Sequence, residues 1–149
     1  MKITVSTLID RPVGGVWRWY AVEHVRNHPR WNPDMELEQI SDAPIGLGTR
    51  IRRRNHHFGE PIEGEMEIVE WEPERAMGVQ IHDANADARG RATFEALGPS
   101  RTRLTIEADF SNLDASKVDQ LRPLIERTAS NVRRLVESEV QPGAGTGRR

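Results

Sequence analysis

The 149-residue sequence contains no cysteine. This absence excludes a disulfide, a thiolate nucleophile and a cysteine-ligated zinc site, and it favours a reducing, cytoplasmic location. Lysine is also scarce, because Lys2 and Lys117 are its only examples and arginine carries the remaining positive charge. No apolar run approaches the roughly 20 residues of a membrane-spanning helix. A strand-like pattern begins already at Ile3, so we expect no secretory signal segment.

Charge gives no indication of a nucleic-acid partner, since the formal net charge is −2. The densest basic stretch contains Arg50, Arg52, Arg53 and Arg54. In the strand register predicted below, Arg53 points inward and the other three lie opposite glutamates. We therefore interpret this stretch as a solvated sheet face and expect no binding to nucleic acid.

The longest periodic stretch covers residues 114–140. Its apolar residues recur every three or four positions, which is typical of one face of an amphipathic helix. They are Val118, Leu121, Ile125, Ala129, Val132, Leu135 and Val136. We predict a helix that is capped by Asp114 and is kinked or split at Pro123. Residues 1–140 are expected to form one domain, and 141–149 a flexible tail.

Most of the chain before that helix alternates as strands do. Strands are predicted at 2–9, from residue 35 to the Gly46 turn, and at 49–58, 62–71, 77–83, 88–97 and 102–110. Two short helices are predicted after the first strand, one capped by Asp10 and one over 23–27 that ends before Pro29. Short loops indicate antiparallel neighbours. The predicted fold class is α+β, a curved seven-stranded antiparallel sheet wrapped around the long C-terminal helix.

The turns predict registers that place the apolar residues of four hairpins on one face. A slip of one residue would move all of them to the other face. The predicted pairs are Arg53–Met66, Asn55–Gly64 and His57–Ile62 in the first hairpin; Ile68–Val79, Met66–Ile81 and Gly64–Asp83 in the second; Ile81–Gly90 and Val79–Ala92 in the third; and Phe94–Leu104 and Ala92–Ile106 in the fourth.

Several stretches carry a likeness to a known superfamily. They are 9–12 with 16–17, 31–33, 46–50, 94–104, and 121–125 with 131–136. With the order of elements, they resemble the helix-grip, START-like superfamily (SRPBCC), and most of all its polyketide cyclase/dehydrase and lipid-transport family. The resemblance implies a cavity between helix and sheet that holds an apolar or aromatic molecule. It implies no single activity.

The predicted site lies on the concave face of the sheet. Its ligand-binding residues are predicted to be Arg53, Asn55, Met66, Ile68, Val79, Ile81, Ala92, Phe94, Ile106, Leu121 and Ile125. The candidate catalytic residues are Arg53, which would stabilise a carbonyl or enolate oxygen, and His57 or Asp83, which would move protons. A buried charge is costly unless it is paired, so Arg53 and Asp83 should pair with each other or meet a polar ligand group.

Two histidine pairs are candidates for metal ligands. His24 and His28 lie four residues apart, but Val25 stands where a metalloprotease helix has glutamate. His56 and His57 are adjacent, so a strand would point them to opposite faces. No third ligand follows from the spacing, and we predict no metal site and no cofactor.

Three functions are consistent with these patterns. Because spacing does not force an acid–base pair, we favour a non-catalytic binder or carrier of a hydrophobic molecule that is lipid-like or aromatic/polyketide. The alternative is a polyketide cyclase/dehydrase (aromatase) that uses Arg53 with His57 or Asp83. The second alternative is a protein-interaction module with a filled core. The patterns do not distinguish a monomer from a homodimer.

Overall fold

The computed structural model describes residues 1–57, 59–84, 86–111 and 113–142. The predicted tail lies outside the described residues from position 143 onward. The elements in chain order are β1 (Lys2–Ile9), α1 (Val13–Trp17), a π-helical segment (Arg18–Val22), α2 (His24–Trp31), β2 (Met35–Gln39), β3 (Arg50–Asn55), β4 (Ile62–Glu72), β5 (Ala76–Asp83), β6 (Ala86–Ala96), β7 (Thr102–Phe110) and α3 (Ala115–Glu139).

The seven strands form one antiparallel sheet in the order β1-β7-β6-β5-β4-β3-β2. Consecutive strands from β2 to β7 are neighbours, as the short loops predict, and β1 closes the series by pairing with β7. The apolar stripe of α3 is buried, with Val118, Val132 and Val136 at most 1% exposed. The predicted α+β class and the curved sheet with its long C-terminal helix are confirmed.

Helix α3 is anchored at both ends. At the start, Asp114 accepts a hydrogen bond of 3.0 Å from the backbone N–H of Lys117, as predicted. At the end, the Arg11 guanidinium donates to the carbonyl oxygen of Val140 at 2.7 Å and also to that of Glu137. Pro123 lies inside the helix, which is one continuous element and is not split there.

The predictions for the two short helices are wrong in detail. Asp10 does not cap α1, since the cap position is Pro12 and Asp10 instead forms an ion pair of 3.0 Å with Arg101. Helix α2 does not end before Pro29 but continues to Trp31. The backbone N–H of Asn32 donates to the carbonyl of His28 at 3.0 Å, which completes a last turn around the proline.

Two of the four predicted registers are confirmed, and two are wrong by two residues. The β4–β5 and β6–β7 pairs are as predicted. In the β3–β4 hairpin, β3 ends at Asn55, which pairs with Ile62, and the N–H of Gly59 donates to the carbonyl of His56 at 3.2 Å, so the loop is longer than predicted. In the β5–β6 hairpin the polar run joins the ladder, so Asp83 pairs with Ala86.

A shift of two residues leaves every side chain on its predicted face. It does change the residues that meet. Arg53, and not Asn55, lies opposite Gly64, and Gly64 lies opposite Asp83 on the next strand. The row that crosses these three strands is therefore Arg53–Gly64–Asp83.

Candidate functional site

One end of the space between α3 and the sheet is filled by large side chains. Trp17 contacts Phe94 and Trp71 edge to face, with ring centroids 5.3 and 4.9 Å apart. Ile68 and Leu104 beside them are fully buried. We call this region the filled end; its further members include Ile9, Val16, Val132 and Val136.

The other end contains a cavity of about 220 Å³, and we call it the hollow end. Small residues on β6 and β7 leave this space open: Ala88, Gly90, Ala92 and Ala108. Across from them, Leu121, Leu124 and Ile125 of α3 form the roof. Apolar cavities of about 150 Å³ already accommodate benzene, so the hollow end is large enough for a small aromatic molecule.

Most of the predicted ligand-binding residues line this cavity. They are Arg53, Asn55, Met66, Val79, Ile81, Ala92, Ile106, Leu121 and Ile125. The structure places the remaining two, Ile68 and Phe94, in the filled end, where they pack against other side chains. The binding role of the residues in the cavity wall stays a prediction.

A buried ion pair forms part of the cavity wall. Arg53 Nε lies 2.9 Å from Asp83 Oδ1, and these side chains are only 8% and 12% exposed. Neither atom makes an aligned hydrogen bond within the described part of the chain. Gly64 allows Asp83 to lie this close to Arg53, because a Cβ atom at position 64 would collide with Asp83 Oδ1 and lie 2.6 Å from the carbonyl oxygen of His82.

Burial and charge act in opposite directions on this pair. Burial raises the pKa of Asp83, while the neighbouring Arg53 opposes the rise. Burial likewise lowers the pKa of Arg53, and Asp83 opposes that change. A guanidinium keeps its proton in proteins, so the wall presents a charged Arg53 beside Asp83.

His57 does not lie with Arg53 and Asp83. Its ring follows the end of β3, where Nδ1 lies 3.4 Å from Asp34 Oδ2, and it does not line the cavity. The side chain of Asn55, which does line the cavity, accepts a hydrogen bond of 2.9 Å from the N–H of His57. The structure thus brings together two of the three candidate catalytic residues.

The predicted binding residues did not include the wall contributed by the helical segment after β1. Tyr20, His24, His28 and Trp31 all line the cavity. Tyr20 and Trp31 stack with centroids 4.7 Å apart, and His28 stacks on Trp31 at 4.8 Å. The four-residue spacing of the histidines was the available signal, but it was tested only as a metal motif.

The two histidines form a hydrogen-bonded chain. His24 Nδ1 lies 2.9 Å from the carbonyl oxygen of Tyr20, and His28 Nδ1 lies 3.0 Å from His24 Nε2. Burial lowers the pKa of His24 to about 4, although the bond to Tyr20 opposes this. Burial, followed by the charges of His24 and Arg53, lowers the pKa of His28 well below its usual value.

Two further properties concern the described residues as a whole. Within the described ranges, no group of three or more histidine, cysteine, aspartate or glutamate side chains is arranged to hold a metal ion. In the same part of the chain, no helix is long and apolar enough to cross a membrane.

No protein-family profile and no curated protein matches the chain. Solved structures match it over nearly its whole length. A START superfamily protein from Mycobacterium smegmatis superposes with a TM-score of 0.77 at 14% identity, over 92% of this chain and 97% of that one. The chain has the helix-grip, START-like fold.

Two other solved structures that superpose on the chain have names that refer to different activities. Norcoclaurine synthase from Thalictrum flavum, in complex with dopamine and hydroxybenzaldehyde, has a TM-score of 0.70 at 15% identity, over 95% of this chain and 88% of that one. The di-domain ARO/CYC BexL from the BE-7585A biosynthetic pathway has a TM-score of 0.72 at 17% identity, over 92% of this chain and 46% of that one. At such identities the likeness establishes the fold alone, and the site must indicate the function.

Proposed function

We propose that the protein binds a hydrophobic small molecule, aromatic or polyketide-like, in the hollow end. The observation that carries this proposal is the cavity of about 220 Å³ under α3, with mainly apolar walls and a few polar groups. Ligand sites have this composition, because apolar walls supply affinity and a few polar groups set orientation. A filled core, which the interaction-module alternative requires, does not agree with this cavity.

Two features favour an aromatic ligand over a long acyl chain. The cavity does not extend into the filled end, because large side chains occupy the space there. Tyr20 and Trp31 also present aromatic surfaces to the space. Aromatic rings pack on such surfaces in stacked or edge-to-face arrangements.

The first test is native mass spectrometry of the freshly purified protein, in which we expect a co-purified small molecule. The second is titration with 2-naphthol, followed by tryptophan fluorescence. Ala88→Leu adds bulk to the cavity wall and should weaken binding at least tenfold. Ala96→Leu makes the same change at an exposed position of β6 outside the cavity and is the matched control. Equal affinity in both variants would contradict the proposal.

A second candidate function is the polyketide cyclase/dehydrase (aromatase) reaction. It is favoured by the Arg53–Asp83 pair in the cavity wall, because a guanidinium can stabilise a developing enolate oxygen. Asp83 is within reach of the same space, whereas His57 would have to act from outside the cavity wall. Conversion of a poly-β-ketone substrate by the native chain, and its loss in Arg53→Met, would support the enzyme; turnover by that variant would count against it.

A further inference from the structure

The hydrogen-bonded chain from Tyr20 to His28 determines which ring nitrogens carry protons. A carbonyl oxygen only accepts hydrogen bonds, so the proton between Tyr20 O and His24 belongs to His24 Nδ1. A neutral imidazole has one N–H, and the other nitrogen is then an acceptor. Since burial keeps His24 neutral, its Nε2 atom accepts the hydrogen bond from His28 Nδ1.

The same reasoning applied to His28 leaves one acceptor unused. Its Nδ1 carries the proton that is donated to His24, and the ring is neutral because burial and nearby charges lower its pKa. His28 Nε2 is therefore unprotonated. Within the described residues, no hydrogen-bond donor reaches this atom, while the ring itself forms part of the cavity wall.

The position of His28 restricts what can meet its Nε2 atom. The ring is held by stacking on Trp31 as well as by the bond to His24, so the acceptor is preorganised. The charge of Arg53 is near enough to lower the pKa of both histidines. A cationic ligand group is therefore disfavoured here, and a carboxylate cannot donate. A neutral hydroxyl group satisfies the acceptor without these costs.

We propose that His28 Nε2 accepts a hydrogen bond from a hydroxyl group, a phenol or an enol, of the molecule bound in the cavity. This inference rests on the proposed function, which it sharpens from a hydrophobic ligand to an aromatic or enolic ligand with a hydroxyl donor. His24 acts here as a positioning residue, since both of its ring nitrogens are engaged and it fixes the tautomer of His28.

This proposal is tested with two ligands, one of which has a hydroxyl donor while the other has a methoxy group in its place. The native chain should bind 2-naphthol about tenfold more tightly than 2-methoxynaphthalene, the effect of one buried hydrogen bond. His28→Asn places an amide near the Nδ1 position, where it can still donate to His24, but has no atom at Nε2. In this variant we expect the two ligands to bind within twofold of each other, even if the lost stacking weakens both.

The outcomes separate the two proposals. Equal binding of the two ligands to the native chain overturns the hydroxyl site and leaves the hydrophobic cavity intact. A preference for 2-naphthol that survives in His28→Asn also overturns it, because another residue then supplies the acceptor. Binding of neither ligand overturns the aromatic ligand class and the hydroxyl site together.

The tautomer can be measured without any ligand. In ¹⁵N NMR spectra of the imidazole rings at neutral pH, His24 and His28 should both carry the proton on Nδ1. The Nε2–H tautomer at His28 would overturn the proposal, whatever the ligands do. His24→Leu should release the constraint, so that the Nε2–H form of His28 becomes populated.

Discussion

The two ends of the space between α3 and the sheet are built from the same elements but hold different side chains. In the filled end, Trp17 and Phe94 meet edge to face above the buried Leu104. In the hollow end, alanine and glycine positions of β6 and β7 face the helix, and a cavity remains. The comparison teaches that side-chain size, not the path of the backbone, decides where this fold is solid and where it is open.

Buried charges and imidazoles follow the same division. In the described chain, the buried ion pair of Arg53 with Asp83 and the histidine chain belong to the cavity wall. The filled end is formed by apolar and aromatic side chains. Buried charges and imidazoles reduce stability unless they are paired, so their concentration around one cavity indicates a ligand site.

A Leu→Ala substitution in each end should give the largest difference in the free energy of unfolding. Leu104→Ala removes a fully buried side chain of the filled end and should lower the free energy of unfolding by about 4 kcal/mol. Leu121→Ala borders a space that is already empty and should cost about 2 kcal/mol. Urea denaturation measures both values. Equal losses would mean that the hollow end is packed as tightly as the filled end.

Breaking the ion pair should have the next largest effect. Asp83→Leu leaves the charge of Arg53 buried without a partner and should cost about 3 kcal/mol of unfolding free energy. Adding Arg53→Met removes the remaining charge, so the double variant should recover most of that loss. A double variant no more stable than Asp83→Leu alone would show that the pair is not coupled.

Gly64 and Gly90 offer a smaller, matched comparison within the sheet. Gly64→Ala places a Cβ atom 2.6 Å from the His82 carbonyl oxygen and should cost about 2 kcal/mol. Gly90→Ala meets Val79 Cγ2 at 3.1 Å, a contact that the valine can relieve, and should cost less than about 1 kcal/mol. Chemical denaturation of the two variants tests whether the close approach of Arg53 to Asp83 requires glycine.

Acid should destabilise the hollow end through His24. Its pKa is about 4 in the folded chain and near 6.5 when unfolded, so the unfolded state binds more protons between these values. The free energy of unfolding should therefore decrease as the pH is lowered through this range, by about 1 kcal/mol from pH 6 to pH 5 for His24 alone. Asp83, whose pKa is raised, opposes the trend at lower pH. His28, whose pKa is also lowered, adds to the loss of stability in acid. His24→Gln should therefore reduce the slope without abolishing it, and an unchanged slope would contradict burial of a neutral His24.

Alternation along the strands was sufficient to predict which face of the sheet is buried. The pairs Met66–Ile81 and Phe94–Leu104 were predicted correctly because their turns are short and contain proline or glycine. The β3–β4 pairing was wrong by two residues, because β3 ends at Asn55 and the N–H of Gly59 donates to the carbonyl of His56, which gives a longer loop than the predicted turn at Gly59 and Glu60. The local sequence pattern did not show where this strand ends.

The site was predicted less completely than the fold. Arg53 and Asp83 were found because their predicted register turned charged side chains toward an apolar face. Tyr20, His24, His28 and Trp31 were not among the predicted binding residues, although they line the cavity. Tyr20 lies in a π-helical segment, and the 3.6-residue period used to assign helix faces does not describe such a segment.

The most direct test of an open end beside a filled end is a crystal structure determined under xenon pressure. Xenon enters apolar cavities that are empty of protein atoms. We expect a xenon site between Ala88, Met66 and Leu121, and none beside Phe94 and Leu104. Xenon absent from the first position, with side chains closed over it, would contradict the account of a ligand cavity.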